Sequence, residues 1–188
     1  MADFSKWIHY QPQVWQPSEA DQLFALLQDE TPWQQPDIKV FGKTYPVPRL
    51  TAWYADAGLQ YEYSGIAHQP LAWTPALQAI KARVEGQVGC GFNSVLLNLY
   101  RDGRDSNGWH ADNEPELDST CPIASVSLGA TRRFRMRLAG ETEHVDLAHG
   151  SLLVMQAGAQ QQMQHCVPKT ARPVGPRINL TFRVVHRQ

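Results

Sequence analysis

The sequence predicts a mainly β chain with flanking helices, an α+β arrangement read as a β-sandwich or a jelly roll (double-stranded β-helix) with helices on one side. Three observations predict it. The two clear helical patterns lie before residue 92, almost every later segment carries strand signals, and those strands are short and separated by turn residues. With 188 residues the chain can bury a substantial core, and it reads as one domain over 1–188. Within that span, residues 1–17 read as an N-terminal arm, about 37–73 as hairpins and about 92–186 as the β-helix core.

Residues 1–17 are rich in aromatics and proline (Trp7, Tyr10, Trp15, Pro12, Pro17) and suggest an irregular arm packed on the body. Ser18 is placed to cap a helix running to about Glu30, with Asp21 three residues on and an apolar stripe of Leu23, Leu26 and Leu27. A second helix starts at Thr74-Pro75, carries Leu77, Ile80 and Val84 on one face, and is expected to stop at Gly86. Between the helices, Asp37–Arg49 reads as a hairpin. Ile38 and Val40 alternate with Lys39, Gly42 permits a tight turn, and Pro46 and Pro48 mark an edge. After residue 92 the expected strands are Asn93–Arg101, Pro122–Leu128, Arg133–Leu138, Glu143–Leu147, Ser151–Met155 and Arg177–Val185.

Composition limits the function classes. Apolar residues are 43% and charged residues 19% of the chain, as in folded proteins rather than disordered ones. No run of 18 apolar residues is present, so no transmembrane helix is expected. The first residues lack the basic-then-apolar order of a signal peptide, which points to an intracellular protein. Cys90, Cys121 and Cys166 are odd in number and widely spaced, which suits free thiols better than disulfides or a zinc site. Net charge is −1, which argues against strong non-specific nucleic-acid binding. Its distribution is uneven: from Thr131 onward nine Lys/Arg face three Asp/Glu, whereas Arg101–Thr120 holds two basic and six acidic residues. A basic half could follow a phosphate backbone and an acidic loop could hold a cation. Both could also simply be solvated faces.

His110-Ala111-Asp112 places an imidazole and a carboxylate on the same side of an extended segment. His165, 53 residues after Asp112, would have to return from a distant strand, as a double-stranded β-helix allows. Two imidazoles and one carboxylate with open positions form the ligand set of non-haem Fe(II) oxygenases, leaving sites for a co-substrate and O2. His-x-Asp alone is a common pattern, so the residues leave a structural reading open. His9, His68, His144, His149 and His186 fit structural roles. On the last strand, Arg177, Asn179, Thr181 and Arg183 share one face, and Ile178, Leu180, Phe182 and Val184 the other. If both faces are covered, two guanidinium groups point into a closed interior and need an anion. A dicarboxylate such as 2-oxoglutarate matches them; a solvent-exposed polar face is the alternative. Asn98 and Tyr100, with Leu96, would add hydrogen bonds from a neighbouring strand.

Taken together, Asn98-Leu-Tyr100, Gly108-Trp-His110-Ala-Asp112-Asn-Glu114, Pro122-Ile-Ala-Ser-Val-Ser-Leu-Gly129, His149-Gly-Ser-Leu-Leu153, His165 and Arg177-Ile-Asn-Leu-Thr-Phe-Arg183 resemble the AlkB-type 2-oxoglutarate/Fe(II) dealkylases, in order from about residue 37 to 185. The resemblance is closest to the branch that repairs duplex DNA, in which a hairpin carrying Val-Phe-Gly inserts beside the damaged base; Val40-Phe41-Gly42 matches it. It implies Fe(II) on His110, Asp112 and His165. It implies 2-oxoglutarate with its distal carboxylate on Arg177 and its metal-bound end near Arg183, assisted by Asn98, Tyr100 and Asn179. Tyr61, Tyr63 and Glu114 match base-pocket positions. The implied activity is oxidative demethylation of 1-methyladenine- and 3-methylcytosine-type bases in DNA. It would be coupled to decarboxylation of 2-oxoglutarate to succinate, with formaldehyde released, O2 consumed and the chain acting as a monomer. The base would be flipped out of the stack, with Phe41 as the wedge. Arg132, Arg133, Arg135 and Arg137 are candidate phosphate contacts. Two other readings remain compatible: the same type of oxygenase acting on RNA or protein, and a non-catalytic, metal-containing β-barrel binding module.

Overall fold

The computed structural model describes residues 2–40, 42–63 and 66–186. In chain order these form a 3-10 turn (Phe4–Lys6), β1 (Ile8–Gln11), α1 (Pro17–Glu30), β2 (Asp37–Val40), β3 (Lys43–Pro46), β4 (Leu50–Ala55), β5 (Tyr61–Tyr63), β6 (Ile66–His68) and α2 (Pro75–Val88). There follow β7 (Ser94–Tyr100), β8 (Asn107–His110), β9 (Ile123–Gly129), β10 (Arg132–Leu138), β11 (Glu141–Leu147), β12 (Ser151–Met155), α3 (Ala159–Gln162), β13 (Met163–Val167) and β14 (Arg177–Arg183). A larger sheet has the order β1-β12-β9-β14-β7-β4 and a smaller one the order β11-β10-β13-β8. From β7 onward the chain passes back and forth between them, the winding of a double-stranded β-helix, as the strand pattern predicts.

Alternation along the strands explains the layering. Ala124, Val126 and Leu128 of β9, Val95, Leu97 and Leu99 of β7, and Ile178, Leu180 and Phe182 of β14 form one face. That face packs on Leu27 of α1 and on Leu77, Ile80 and Val84 of α2. Both helices therefore lie on one side of the sheet, as expected. The opposite face supplies Tyr100, Ile123, Leu153 and Met155, which meet Phe134, Met136, Leu147, Met163 and Val167 of the smaller sheet. Every residue of β14 is consequently buried, including Arg177 and Arg183.

Several local expectations are corrected. Helix α1 begins at Pro17 with Gln16 at the cap position and no side-chain cap bond. Proline at the first turn has its φ preset and its missing N–H costs nothing there, so Ser18 is inside the helix rather than capping it. Helix α2 passes Gly86 and ends at Val88, with Gly89 in the left-handed region (φ 72°) and its N–H bonded to Glu85 O. The first 17 residues are not all irregular: β1 pairs Ile8 with Met155 and Gln11 with Leu152, completing the sheet edge. The Asp37–Pro46 hairpin is present, with Asp37 opposite Pro46 and Gly42 at φ 76° in its turn. Phe41 lies outside the described residues, as do the side chains of Val40, Tyr61 and Tyr63.

Gly129 ends β9 directly opposite Arg177. It has φ 90°, and a Cβ there would lie 2.5 Å from Pro176 O and 2.7 Å from the Phe24 ring. Gly129→Ala combines a disfavoured backbone conformation with a clash that backbone must absorb. We expect a loss of about 2 kcal/mol, seen as a melting temperature lower by roughly 4–8 °C.

Candidate metal centre and anion pocket

The smaller sheet brings the two histidines together. β13 lies beside β8 with His165 opposite His110, and the rings meet edge to face at 4.2 Å between centroids. Asp112 follows two residues after His110, just past the end of β8, and turns its carboxylate back toward both. The separations are 3.8 Å from His165 Nε2 to Asp112 Oδ2 and 3.9 Å from His110 Nε2 to Asp112 Oδ1. Ligand atoms of all three lie within 4.8 Å of one another, so one cation can bridge them. The His110 Nδ1–H is placed to donate to Gly108 O at 2.7 Å, which leaves Nε2 with its lone pair facing the cluster.

The electrostatics favour a metal-binding protonation state. Burial pushes the His165 imidazole down to about 4; the Asp112 carboxylate opposes this but is outweighed, and His110 and Arg183 add to the depression. His165 is therefore neutral at neutral pH. Burial alone would raise the Asp112 pKa, yet the Arg183 guanidinium and the two imidazoles outweigh it and hold the carboxyl below its usual range. Arg183 Nη2 donates to Asp112 Oδ1 at 2.6 Å in a buried pair.

A cavity of about 370 Å³ extends from this cluster along the polar face of β14, lined by Arg177, Asn179, Thr181 and Arg183. Asn98, Tyr100 and Glu114 also line it, so the structure gathers these sequence-derived candidates around one space. At the Arg177 end, Nη2 donates to Ser127 Oγ at 2.8 Å, and the guanidinium lies 5.2 Å from the centre of the Tyr100 ring. Among the described residues, its Nε and Nη1 are buried without a hydrogen-bond partner. Unmet donors on a buried cation call for an anionic acceptor, such as a carboxylate. The middle of the wall is a hydrogen-bonded run of amides and a hydroxyl, joined by one cation, Arg49. Arg49 Nε donates to Asn98 Oδ1 at 2.9 Å, Asn98 Nδ2 to Asn179 Oδ1 at 3.3 Å, and Asn179 Nδ2 to Ser125 Oγ at 2.6 Å.

Other residues part from their expected places or were not anticipated. Arg132 is buried and donates to the carbonyls of Asp102, Asp105 and Pro168. It is therefore not a phosphate contact: on β10 it shares the inward side of Phe134 and Met136. Arg133, Arg135 and Arg137 are exposed, with Arg133 paired to Asp146 and the other two lying over the Trp109 ring. His149 is structural, accepting from Gly129 N and contacting Asp21. Arg49 and Ser127 were missed because neither carries a local motif.

Because the folded pKa of His165 is depressed, its contribution to stability is whole above the unfolded value near 6.5 and is lost as pH falls toward about 4. In metal-free protein we expect a loss of about 2 kcal/mol between pH 7 and pH 5 from this group. It should be visible in urea midpoints and absent from His165→Gln.

Comparisons with known proteins agree with this chemistry. Residues 8–183 match the family model described as the 2OG-Fe(II) oxygenase superfamily. The chain is 44% identical over 181 residues to human alpha-ketoglutarate-dependent dioxygenase alkB homolog 3, covering 89% of this chain and 62% of that protein. It is 41% identical over 181 residues to human DNA oxidative demethylase ALKBH2, covering 89% and 69%. The chain thus spans about six tenths of the length of the alkB homolog 3 proteins it matches. Among solved structures, OsALKBH1 superposes with a TM-score of 0.68 at 16% identity, over 94% of this chain and 97% of that one. A Pseudomonas putida prolyl-4-hydroxylase superposes with a TM-score of 0.61 at 18% identity, over 99% and 96%. These two likenesses show the jelly-roll fold. With the family model running through all three clustered residues and both strand-face arginines, the chain belongs to the 2OG-Fe(II) oxygenase superfamily, whose members use Fe(II), 2-oxoglutarate and O2.

Proposed function

We propose that the protein is an oxidative DNA demethylase, a single domain over 1–188 acting as a monomer on 1-methyladenine- and 3-methylcytosine-type lesions, with duplex DNA as its substrate. The observation that carries the chemistry is one cavity with a two-His, one-Asp cluster on its wall and a buried, under-satisfied arginine at the other end of the same strand face. The relatives named as DNA oxidative demethylases support the substrate class.

In this reading His110, Asp112 and His165 would hold Fe(II), and Arg177, with unmet donors, would take the distal carboxylate of 2-oxoglutarate. With Fe(II) bound, the site would couple O2-dependent decarboxylation of 2-oxoglutarate to hydroxylation of the N-methyl group, one oxygen atom entering succinate and the other the methyl carbon, which would then leave as formaldehyde. The protein's own groups bind and orient. His165 stays neutral and so keeps a lone pair for the metal. Arg183 steadies the Asp112 carboxylate. Tyr100, Asn98 and Asn179 supply the neutral wall between the two ends. A volume of about 370 Å³ accommodates a small co-substrate together with a reacting base. Glu114, two residues beyond Asp112 and on the cavity wall, would accept from an exocyclic amino group of that base. Val40, Phe41 and Gly42 would supply the wedge, Tyr61 and Tyr63 the stacking surface, and Arg133, Arg135 and Arg137 the phosphate contacts.

A duplex oligonucleotide with one 1-methyladenine, incubated with protein, Fe(II), ascorbate and 2-oxoglutarate, should lose one methyl group by mass spectrometry. His110→Ala and reactions without 2-oxoglutarate should lose none. Succinate formation without loss of the methyl would redirect the search to RNA or protein. Phe41→Ala should reduce turnover of duplex more than of single-stranded substrate; equal losses would remove the wedge role. Arg177→Lys forfeits the planar, multi-donor guanidinium, so KM for 2-oxoglutarate should rise roughly 10- to 100-fold with a smaller change in kcat.

A further inference from the structure

We propose that Gln160 is a positioning residue for the metal centre: its side-chain amide fixes the backbone of Asp112 and thereby sets metal affinity. Both histidines are held by the β8–β13 ladder. Asp112 has no such support, because it lies in the segment between β8 and β9. Arg183 anchors its carboxylate. Its backbone is anchored from elsewhere: Asp112 N–H donates to Gln160 Oε1 at 2.9 Å.

Gln160 belongs to α3, the single turn that runs directly into β13 and His165. The bond therefore ties the carboxylate ligand to the segment that carries the second histidine. The orientation of the amide is specified at both ends. Its Nε2 donates to Met155 Sδ at 3.3 Å, and an N–H at Asp112 requires an oxygen acceptor, so Oε1 must face it. The neighbouring Gln161 and Gln162 are exposed, although the three side chains are identical. Groups that orient metal ligands typically change affinity 10- to 100-fold when removed.

This inference rests on the metal-ligand assignment proposed above, and the test separates the two. Metal-free protein is titrated with Mn(II), which needs no O2 or substrate, and free Mn(II) is followed by electron paramagnetic resonance. Gln160→Met keeps length but loses the oxygen acceptor. Gln160→Ala removes the side chain without straining the turn. Gln160→Glu keeps an acceptor, and Gln161→Met is the neighbour control. We expect affinity about tenfold weaker in Gln160→Met and Gln160→Ala, and near wild type in Gln160→Glu and Gln161→Met. Amide hydrogen exchange at Asp112 should also be faster in the first two, while melting temperatures remain within a few degrees. Wild-type affinity in either Gln160→Met or Gln160→Ala would overturn the role of Gln160. Wild-type affinity in His110→Ala would instead overturn the ligand assignment. Equal weakening in Gln161→Met would show a general effect of the turn and would also overturn the proposal.

Discussion

A strand buried on both faces cannot leave two guanidinium groups on one of them without compensation, and β14 carries Arg177 and Arg183 in that position. Desolvating each cation costs several kcal/mol unless a charge or several hydrogen bonds meet it. The fold meets the demand differently at the two ends. Arg183 is paired with Asp112, which brings the carboxylate into the interior and holds it ionised beside two imidazoles. Arg177 has one serine hydroxyl, the face of Tyr100 and two donors with no acceptor. One end is an internal ion pair that shapes a metal cluster. The other is an electrostatic deficit that a bound carboxylate would remove.

The interior is accordingly divided by polarity. Where the two sheets meet away from the site, Ile123, Leu147, Leu153 and Met163 pack as an ordinary core. Along the β14 face, serines, threonine and asparagines replace them and satisfy one another. The amides of Asn98 and Asn179 are engaged mainly with protein groups. A wall of mutually bonded amides and hydroxyls, with Arg49 held on Asn98, can line an anionic ligand without leaving its own polar groups unmet. The sharing of Asp112 between Arg183 and the histidines also ties β14 to the two-His, one-Asp cluster.

Parity on the smaller sheet separates catalysis from surface chemistry. Met136 stands opposite His165, on the inward side, while Arg135 stands opposite Cys166 and Arg137 opposite Gln164, on the outward side. Trp109 precedes His110 and has Arg135 and Arg137 over its ring. Adjacent residues of one strand thus serve opposite faces, and a shift of one residue in register would exchange them.

Much of this was legible in the chain. The two-residue spacing of His110 and Asp112 and the alternation of Arg177–Arg183 are local patterns, and local patterns translate directly into shared faces. Alternation also separated Arg133, Arg135 and Arg137 from Phe134 and Met136; carried one residue back it puts Arg132 inward, though it does not show which three carbonyls Arg132 meets. Where a competing local signal was stronger, the expectation failed: Pro17 opens α1 despite Ser18, and Gly89, in the left-handed conformation, ends α2 where Gly86 was expected to. Pairing decided the rest. No sequence rule places Ile8 beside Met155, brings His165 opposite His110, or selects Gln160 from a run of three identical residues. The sequence by itself determined which side chains share a face and which chemical groups are present. Tertiary structure alone decided which faces close on each other and which donors are left without acceptors, because those depend on strand partners tens to more than a hundred residues apart.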